Sequence, residues 1–425
     1  LNLKNQHLVS FCKETGGLMN KIKELLIKKG VFIQNPQTVT IDTDVNPDNI
    51  EAGAYINQGC AISGKKIYIS TGAVIGSRGP ASVKDCAIDE GAELGSGYFD
   101  ESVFLSGSKT GSGAEVRKGC IIEDKSSAAH NVGMKQTILF PYAALGSIIN
   151  FCDCMLTGGT SAKNHSEVGS SFIHFNFTPD QDKATPSIMG NVYEGVFLDQ
   201  PPIFLGGQGG MAGPCRLGFG NVSAAGSIIR RDELRKNRLL YESVQRNFNI
   251  EKKAGVYSSI NRIIKNNIFY IANLAALKHW YLYVRKDFLR DRIFKAALQT
   301  IDSAVEERKK RLLQLAEKVK PGIEILKKEN KDSKLLEIKK NFCCNSVKLE
   351  DLISNIYEND LIYENKRDDF LLEFNKNEHD SSYLEKIHNL DKTVVNSGII
   401  WLESIVEGFI DQTSEILNKF DLKDN

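Results

Sequence analysis

The sequence predicts a mainly β solenoid, a β-helix of hexapeptide repeats, joined to an all-α domain. Two observations carry this. First, a short phrase keeps returning between Val39 and Ile122: Gly, a small residue, any residue, then an aliphatic. It reads Gly53-Ala-Tyr-Ile56, Gly59-Cys-Ala-Ile62, Gly72-Ala-Val-Ile75, Gly91-Ala-Glu-Leu94, Gly113-Ala-Glu-Val116 and Gly119-Cys-Ile-Ile122. Aliphatics recur about six apart, as from Ile50 to Ile56 to Ile62 and from Val116 to Ile122. That period fits neither a helix nor a half-buried strand. It is the signature of a coil in which each turn stacks on the next. The aliphatic enters the core, the small residue sits where the chain bends, and glycine supplies φ > 0 at the corner. An ordinary all-β domain with regularly spaced glycine turns is the competing reading. Second, the composition changes abruptly after Arg230. Of 35 glycines, 31 lie at or before residue 230, and of ten prolines only Pro321 lies beyond it. A chain that loses both breakers and gains Leu, Ile, Lys and Glu becomes helical.

Taken in order, residues 1–30 read as an N-terminal helix, with Leu18, Ile22, Leu25 and Leu26 at helical spacing and Gly30 closing it. Residues 31–230 form the β-helix. Its later coils keep the pattern at Val168-Gly-Ser-Ser and Val222–Ile228 but are interrupted at Gly158–Glu167, Asp180–Ser187 and Tyr193–Pro202. Loops thrown out of a solenoid tend to gather on one face and carry function. Residues 231–425 form the helical domain, with one or two long amphipathic helices over Ser259–Lys320, a break at Pro321-Gly322, and further helices towards Phe420. The aromatics Trp280, Tyr281, Tyr283 and Phe288 read as its core.

Charge and composition exclude some functions. A net charge of +1 makes no electrostatic case for nucleic acid or an anionic membrane. Nine scattered cysteines, with Cys60 and Cys120 in the small-residue slot, fit a reducing cytoplasm. The most apolar run, Ile268–Val284, is interrupted by Asn273, Lys278 and His279 and suits a buried helix. Cys152-Asp-Cys154 with His165 and His174 has the ligand types of a zinc site, but two strand cysteines on one face are also ordinary core, and no metal is predicted. Gly206–Gly213 lacks the Gly-Lys-Ser/Thr of a phosphate loop and reads as solenoid corners. The basic runs Arg308–Arg311 and Lys327–Lys340 have acids close by and read as solvated helix faces.

Three stretches resemble a known family. Lys29-Gly-Val-Phe-Ile-Gln-Asn-Pro to Ile41-Asp-Thr-Asp-Val45, Val168-Gly-Ser-Ser-Phe-Ile-His-Phe-Asn176-Phe177, and Leu217-Gly-Phe-Gly-Asn-Val-Ser-Ala-Ala-Gly-Ser-Ile-Ile-Arg-Arg-Asp232 are similar to the opening, middle and close of a left-handed β-helix. That β-helix is the acetyltransferase domain of the bifunctional N-acetylglucosamine-1-phosphate uridyltransferase and glucosamine-1-phosphate acetyltransferase. Only some 30 residues precede the repeat, too few for the family's uridyltransferase domain, so uridyl transfer is not expected of this chain.

The resemblance implies a homotrimer that binds a sugar phosphate or a nucleotide sugar such as UDP-N-acetylglucosamine, with acetyl-CoA or another acyl-CoA as donor. It maps Arg117 and Lys135 onto the phosphate-binding positions, and Asn176 and, with a shift, Lys183 onto further site positions. A guanidinium suits phosphate through bidentate charge-assisted bonds. The family's catalytic histidine is replaced by Ser147, a nearby tyrosine by Asn150, and another by Phe177. Attack of an amine on a thioester needs a base, and serine alone cannot serve. His174, two residues from Asn176 on the same strand face, is the leading replacement, with His165 and His130 as others. The competing function is a catalytically inactive trimeric scaffold whose helical domain binds a protein partner.

Overall fold

A computed structural model describes residues 17, 19–241, 249, 252–329, 333–357, 363–376 and 382–424. The chain is a parallel β-solenoid of about eleven turns followed by a set of helices. The predicted N-terminal helix is seen over 19–29; Leu18 and residues 1–16 lie outside the described residues. The chain forms two compact units, 1–151 with 290–300, and 152–289 with 301–425.

In the first unit the six repeat phrases do what their chemistry requires. Their glycines all lie at φ between +67° and +86°. Their small residues (Ala54, Cys60, Ala73, Ala92, Ala114, Cys120) and their aliphatics (Ile56, Ile62, Ile75, Leu94, Val116, Ile122) are buried. Each coil contributes one short strand to each of three faces. On the first face the strands run in register Phe32, Tyr55, Val74, Glu93, Lys109, Ser127, Ala144, all outward residues above an inward aliphatic or small partner. The second face runs from Thr40–Ile41 to Val132–Lys135.

The third face differs from both. Its strands Tyr68–Ile69, Ala87–Ile88, Val103–Phe104, Ile121–Ile122 and Ile138–Leu139 are buried on both sides, because their outward residues are apolar as well. A strand with two apolar faces must be covered on both. The segment Arg290–Thr300 belongs to this unit. Arg290 reaches Glu90 at 3.0 Å and Glu51 at 3.3 Å, and the Arg292 guanidinium stands 5.7 Å from the Tyr68 ring.

In the second unit the coils continue as parallel strands, with Glu167–Val168, Phe204–Leu205, Val222–Ser223 and Leu239–Leu240 in register on one face. The last strand lies beyond residue 230. All three predicted interruptions are attachment points for the helices. Gly159–Ser161 pairs antiparallel with Asn164–His165, and Thr160 accepts a hydrogen bond from His388 Nε2 at 2.7 Å. In the second loop Asp182 accepts from Tyr257 Oη at 2.8 Å, and Lys318 Nζ donates to the Asp180 carbonyl at 2.6 Å. The third opens on a short helix that begins one residue before it, Val192–Gly195, whose first amide donates to Asn273 Oδ1 at 2.8 Å.

Helix Ile260–Tyr283 packs on Lys392–Ile416 and on Val192–Gly195, around Trp280, Trp401, Phe197 and Phe370. Trp280 and Tyr281 are core, while Tyr283 and Phe288 are half-buried. Lys392–Ile416 is the one described helix long and apolar enough to cross a membrane. Its Trp401, Leu402, Ile405 and Phe409 are buried within the unit.

Pro321 does not end its helix, contrary to expectation; the helix runs unbroken over Asp291–Lys328. A proline removes one amide donor, which a long packed helix can absorb. Gly322 beside it has a packing role, since a Cβ there would fall 2.0 Å from the Gly255 carbonyl oxygen.

Candidate functional site

The corner between the first and second faces of the first unit stacks Gly76–Pro80, Gly95–Gly97, Gly111–Gly113, Ala129–Asn131 and Gly146–Ile148 from coil to coil. In such a column residues one coil apart lie about 4.8 Å from each other. That geometry brings His130 and Ser147 together: His130 Nδ1 is 2.9 Å from Ser147 Oγ. Both are solvent-accessible, and His130 lines an open cavity of about 350 Å³ with Arg78, Glu93, Lys109 and Ser112. Ser147, which the resemblance aligns with the family's histidine, is therefore bonded to a histidine of the preceding coil. The sequence carries this only as an interval of 17 residues, one coil, which is legible once coil length is known.

Arg117 and Lys135 are also brought together. Val116 pairs with Met134, and the Arg117 amide donates to the Met134 carbonyl at 2.9 Å, so the two cations stand on adjacent coils at the far end of the second face. Arg117 is exposed, with Glu115 3.6 Å from its Nε. Lys135 is half-buried at the end of strand Val132–Lys135. Lys135 ends the strand Val132–Lys135, about 10 Å from its start, and His130 lies in the corner before that strand. Asn150 is exposed on strand Ile149–Cys152.

The remaining predicted residues belong to the second unit. His174 is 2 % exposed, with Nε2 2.7 Å from Ser187 Oγ. Burial pulls its pKa down to about 4. An imidazole held neutral inside the solenoid is a structural hydrogen-bonding group, and as a base it lacks contact with solvent. Asn176 Nδ2 donates to Asp153 Oδ2 at 2.8 Å. Asp153 Oδ1 accepts from Arg308, whose guanidinium is buried. Arg308 is thus no part of a solvated face, as its run suggested. It follows Ala304 and precedes Leu312 in a buried stripe at helical spacing, and that stripe was readable in the sequence. Phe177 and Lys183 are exposed. His165 Nδ1 lies 3.0 Å from the Ala162 carbonyl of its own hairpin.

Cys152, Cys154 and Cys215 are buried, and burial pushes the Cys154 thiol up. Asp153 between the first two has φ +58°, so the pair flanks a corner rather than sharing one strand. Among the described residues no group of three or more His, Cys, Asp or Glu is placed to hold a metal ion. Gly206–Gly213 forms a corner between strands Phe204–Leu205 and Gly210–Ala212, then a cis Gly213-Pro214 bond.

Comparison with known proteins finds relatives over about half of the chain. The chain is similar to bifunctional protein GlmU of Thermotoga sp. (strain RQ2), 25% identical over 224 residues that cover 50% of this chain and 42% of that protein. It is likewise 25% identical over 207 residues to bifunctional protein GlmU of Nitratidesulfovibrio vulgaris (strain DP4), covering 48% of this chain and 40% of the relative. The chain thus spans less than half the length of the curated relatives it matches. No family model matches. The chain carries a GlmU-related β-helix domain.

Proposed function

We propose that this chain is a hexapeptide-repeat transferase that binds a sugar phosphate or nucleotide sugar and takes an acyl group from a coenzyme A thioester, with His130 as its base. The observation that supports this best is the His130–Ser147 pair at the corner where the resemblance puts the family's histidine. The tautomer that donates Nδ1–H to Ser147 Oγ leaves the Nε2 lone pair facing out. In the step proposed, the substrate amine attacks the thioester carbonyl and forms the C–N bond. Its proton passes to His130 Nε2, the C–S bond breaks, and the coenzyme leaves as thiolate. Ser147 orients the base and does not itself react.

Arg117 and Lys135 are phosphate partners in this reading. They stand at the other end of the strand Val132–Lys135 from the His130 corner, and in this reading they serve the base of a neighbouring copy, in keeping with the homotrimer that the resemblance implies. Asn150 would line the same face. Asn176 is engaged by Asp153, so its role here is to hold the coil rather than to touch substrate. A cytoplasmic location belongs to the same proposal and is supported by the scattered cysteines.

The scaffold reading draws its support from Arg308, which ties Asp153 and, through it, Asn176 to the helical region. Release of coenzyme A thiol, followed with the full chain, acetyl-CoA and glucosamine-1-phosphate or its UDP derivative, separates the two. Turnover that His130→Gln abolishes supports the transferase. No turnover with any amino-sugar acceptor supports the scaffold.

A further inference from the structure

We infer that the first face of the first unit carries a track for a nucleoside diphosphate, with Phe32 and Tyr55 as the base platform and Arg78 and Lys109 as the phosphate partners. The outward row on this face begins with two aromatics. Phe32 and Tyr55 are 53% and 45% exposed, although both are large and apolar, and their ring centroids are 5.4 Å apart. An exposed aromatic pair on a flat strand surface is a sequence-tolerant stacking surface for a nucleobase.

Beside them, a cavity of about 450 Å³ is lined by Gln34, Thr38, Asn57 and Gln58, whose amides and hydroxyl offer both donors and acceptors to a base edge. The turn Gly76–Pro80 joins this cavity to the one at His130. Ser77, Gly79 and Pro80 line the first, and Arg78 lines the second.

The charge on the track lies where phosphates would follow. Arg78 is exposed and has no ion pair among the described residues. Lys109 Nζ leans back onto Glu93 at 2.7 Å, which places it two strand spacings, about 10 Å, from the Tyr55 row. Arg78 is therefore the uncompensated cation, and Lys109 the second, held in position by Glu93. Beyond Lys109 the row continues with Ser127, and His130 closes the cavity. Base, diphosphate and reacting end thus follow one another along six successive coils, from the row of Phe32 to that of Ser127. Each cavity falls within the roughly 300–1,000 Å³ of small-molecule sites.

This inference rests on the transferase reading only for the end that reacts. It narrows "sugar phosphate or nucleotide sugar" to the nucleotide sugar. The adenosine diphosphate part of coenzyme A has the same chemistry, so both sources must be tested.

The test is calorimetric titration of the full chain with UDP, ADP, coenzyme A and inorganic pyrophosphate. The expected result is saturable binding of UDP, in competition with pyrophosphate. Arg78→Ala should weaken both about tenfold. Tyr55→Ala should weaken UDP about fivefold or more while leaving pyrophosphate unchanged. Glu93→Gln, which releases Lys109, should tighten pyrophosphate. Binding of ADP and coenzyme A in place of UDP, with the same response to Arg78→Ala and Tyr55→Ala, keeps the track and assigns it to the acyl donor. No heat with any of the four, or binding indifferent to Arg78→Ala, overturns it. Nucleotide binding is read without turnover. Loss of turnover in His130→Gln with UDP binding intact concerns the base, and absence of binding concerns the track.

Discussion

Removing the Arg308 guanidinium should destabilise the second unit more than any surface substitution could. Arg308 is 1% exposed and Asp153 is 7% exposed, so Arg308→Met leaves a buried carboxylate to which the Asn176 amide still donates. Breaking a buried pair from one side costs about 3–5 kcal/mol, because the orphaned charge keeps its desolvation penalty. Removing both charges is far cheaper, since the penalty goes with the pair. The prediction is therefore a cycle. Arg308→Met and Asp153→Leu each lower stability by about 3 kcal/mol or more. The double variant loses much less than their sum, with a coupling of about 2 kcal/mol or larger. Urea unfolding followed by far-UV circular dichroism reads all four proteins. A loss under about 1 kcal/mol for Arg308→Met, the range of exposed pairs, or strict additivity, would refute the reasoning.

Other outcomes follow from the same structure. His174 titrates near 6.5 when unfolded and near 4 when buried, so the native state binds fewer protons across that window. Stability is unaffected above 6.5 and falls as the pH drops towards 4, by up to about 3 kcal/mol; urea midpoints at both ends should show this fall in the wild type and a smaller one in His174→Gln. Gly113 has φ +70°, and a Cβ there would fall 2.2 Å from Asn131 Oδ1, so Gly113→Ala should cost about 1–2 kcal/mol and lower the melting temperature. Ile75 is fully buried in the solenoid, and Ile75→Ala should cost about 2–5 kcal/mol in the same assay. Ser147→Ala should lower kcat while leaving KM for the acceptor unchanged, because it removes the hydrogen bond that orients His130 and no substrate contact.

The solenoid was legible because its repeat is a steric rule applied once per corner. A glycine at positive φ, an alanine at the bend and an aliphatic inside leave few alternatives, and Gly53-Ala54-Tyr55-Ile56 shows all three. The outward residues obey no such rule. That Tyr68, Val103 and Ile121 on the third face are covered, while Phe32 and Tyr55 on the first are exposed, depends on what packs against each face. A six-residue period cannot express that.

The site was half legible for the same reason. Arg117 and Lys135 were found through resemblance and do stack on adjacent coils. His174 drew attention by sharing a strand face with Asn176, yet that strand's inward alternation buries it, between the exposed Ile173 and the half-buried Phe175. His130 is far from Ser147 in sequence and adjacent in space, and only the coil length connects them. The interruptions at Gly158–Glu167, Asp180–Ser187 and Tyr193–Pro202 invited a functional reading. Their bonds to His388, Tyr257 and Asn273 make them the joints on which the helices are hung.

The most direct test of the central claim is the pH dependence of coenzyme A release by wild type and His130→Gln, with acetyl-CoA and an amino-sugar phosphate or its UDP derivative. The account predicts activity that rises with the deprotonation of one group and a loss of about a hundredfold or more in the variant, while His174→Gln keeps the same pH profile. Activity in His130→Gln equal to wild type would contradict it.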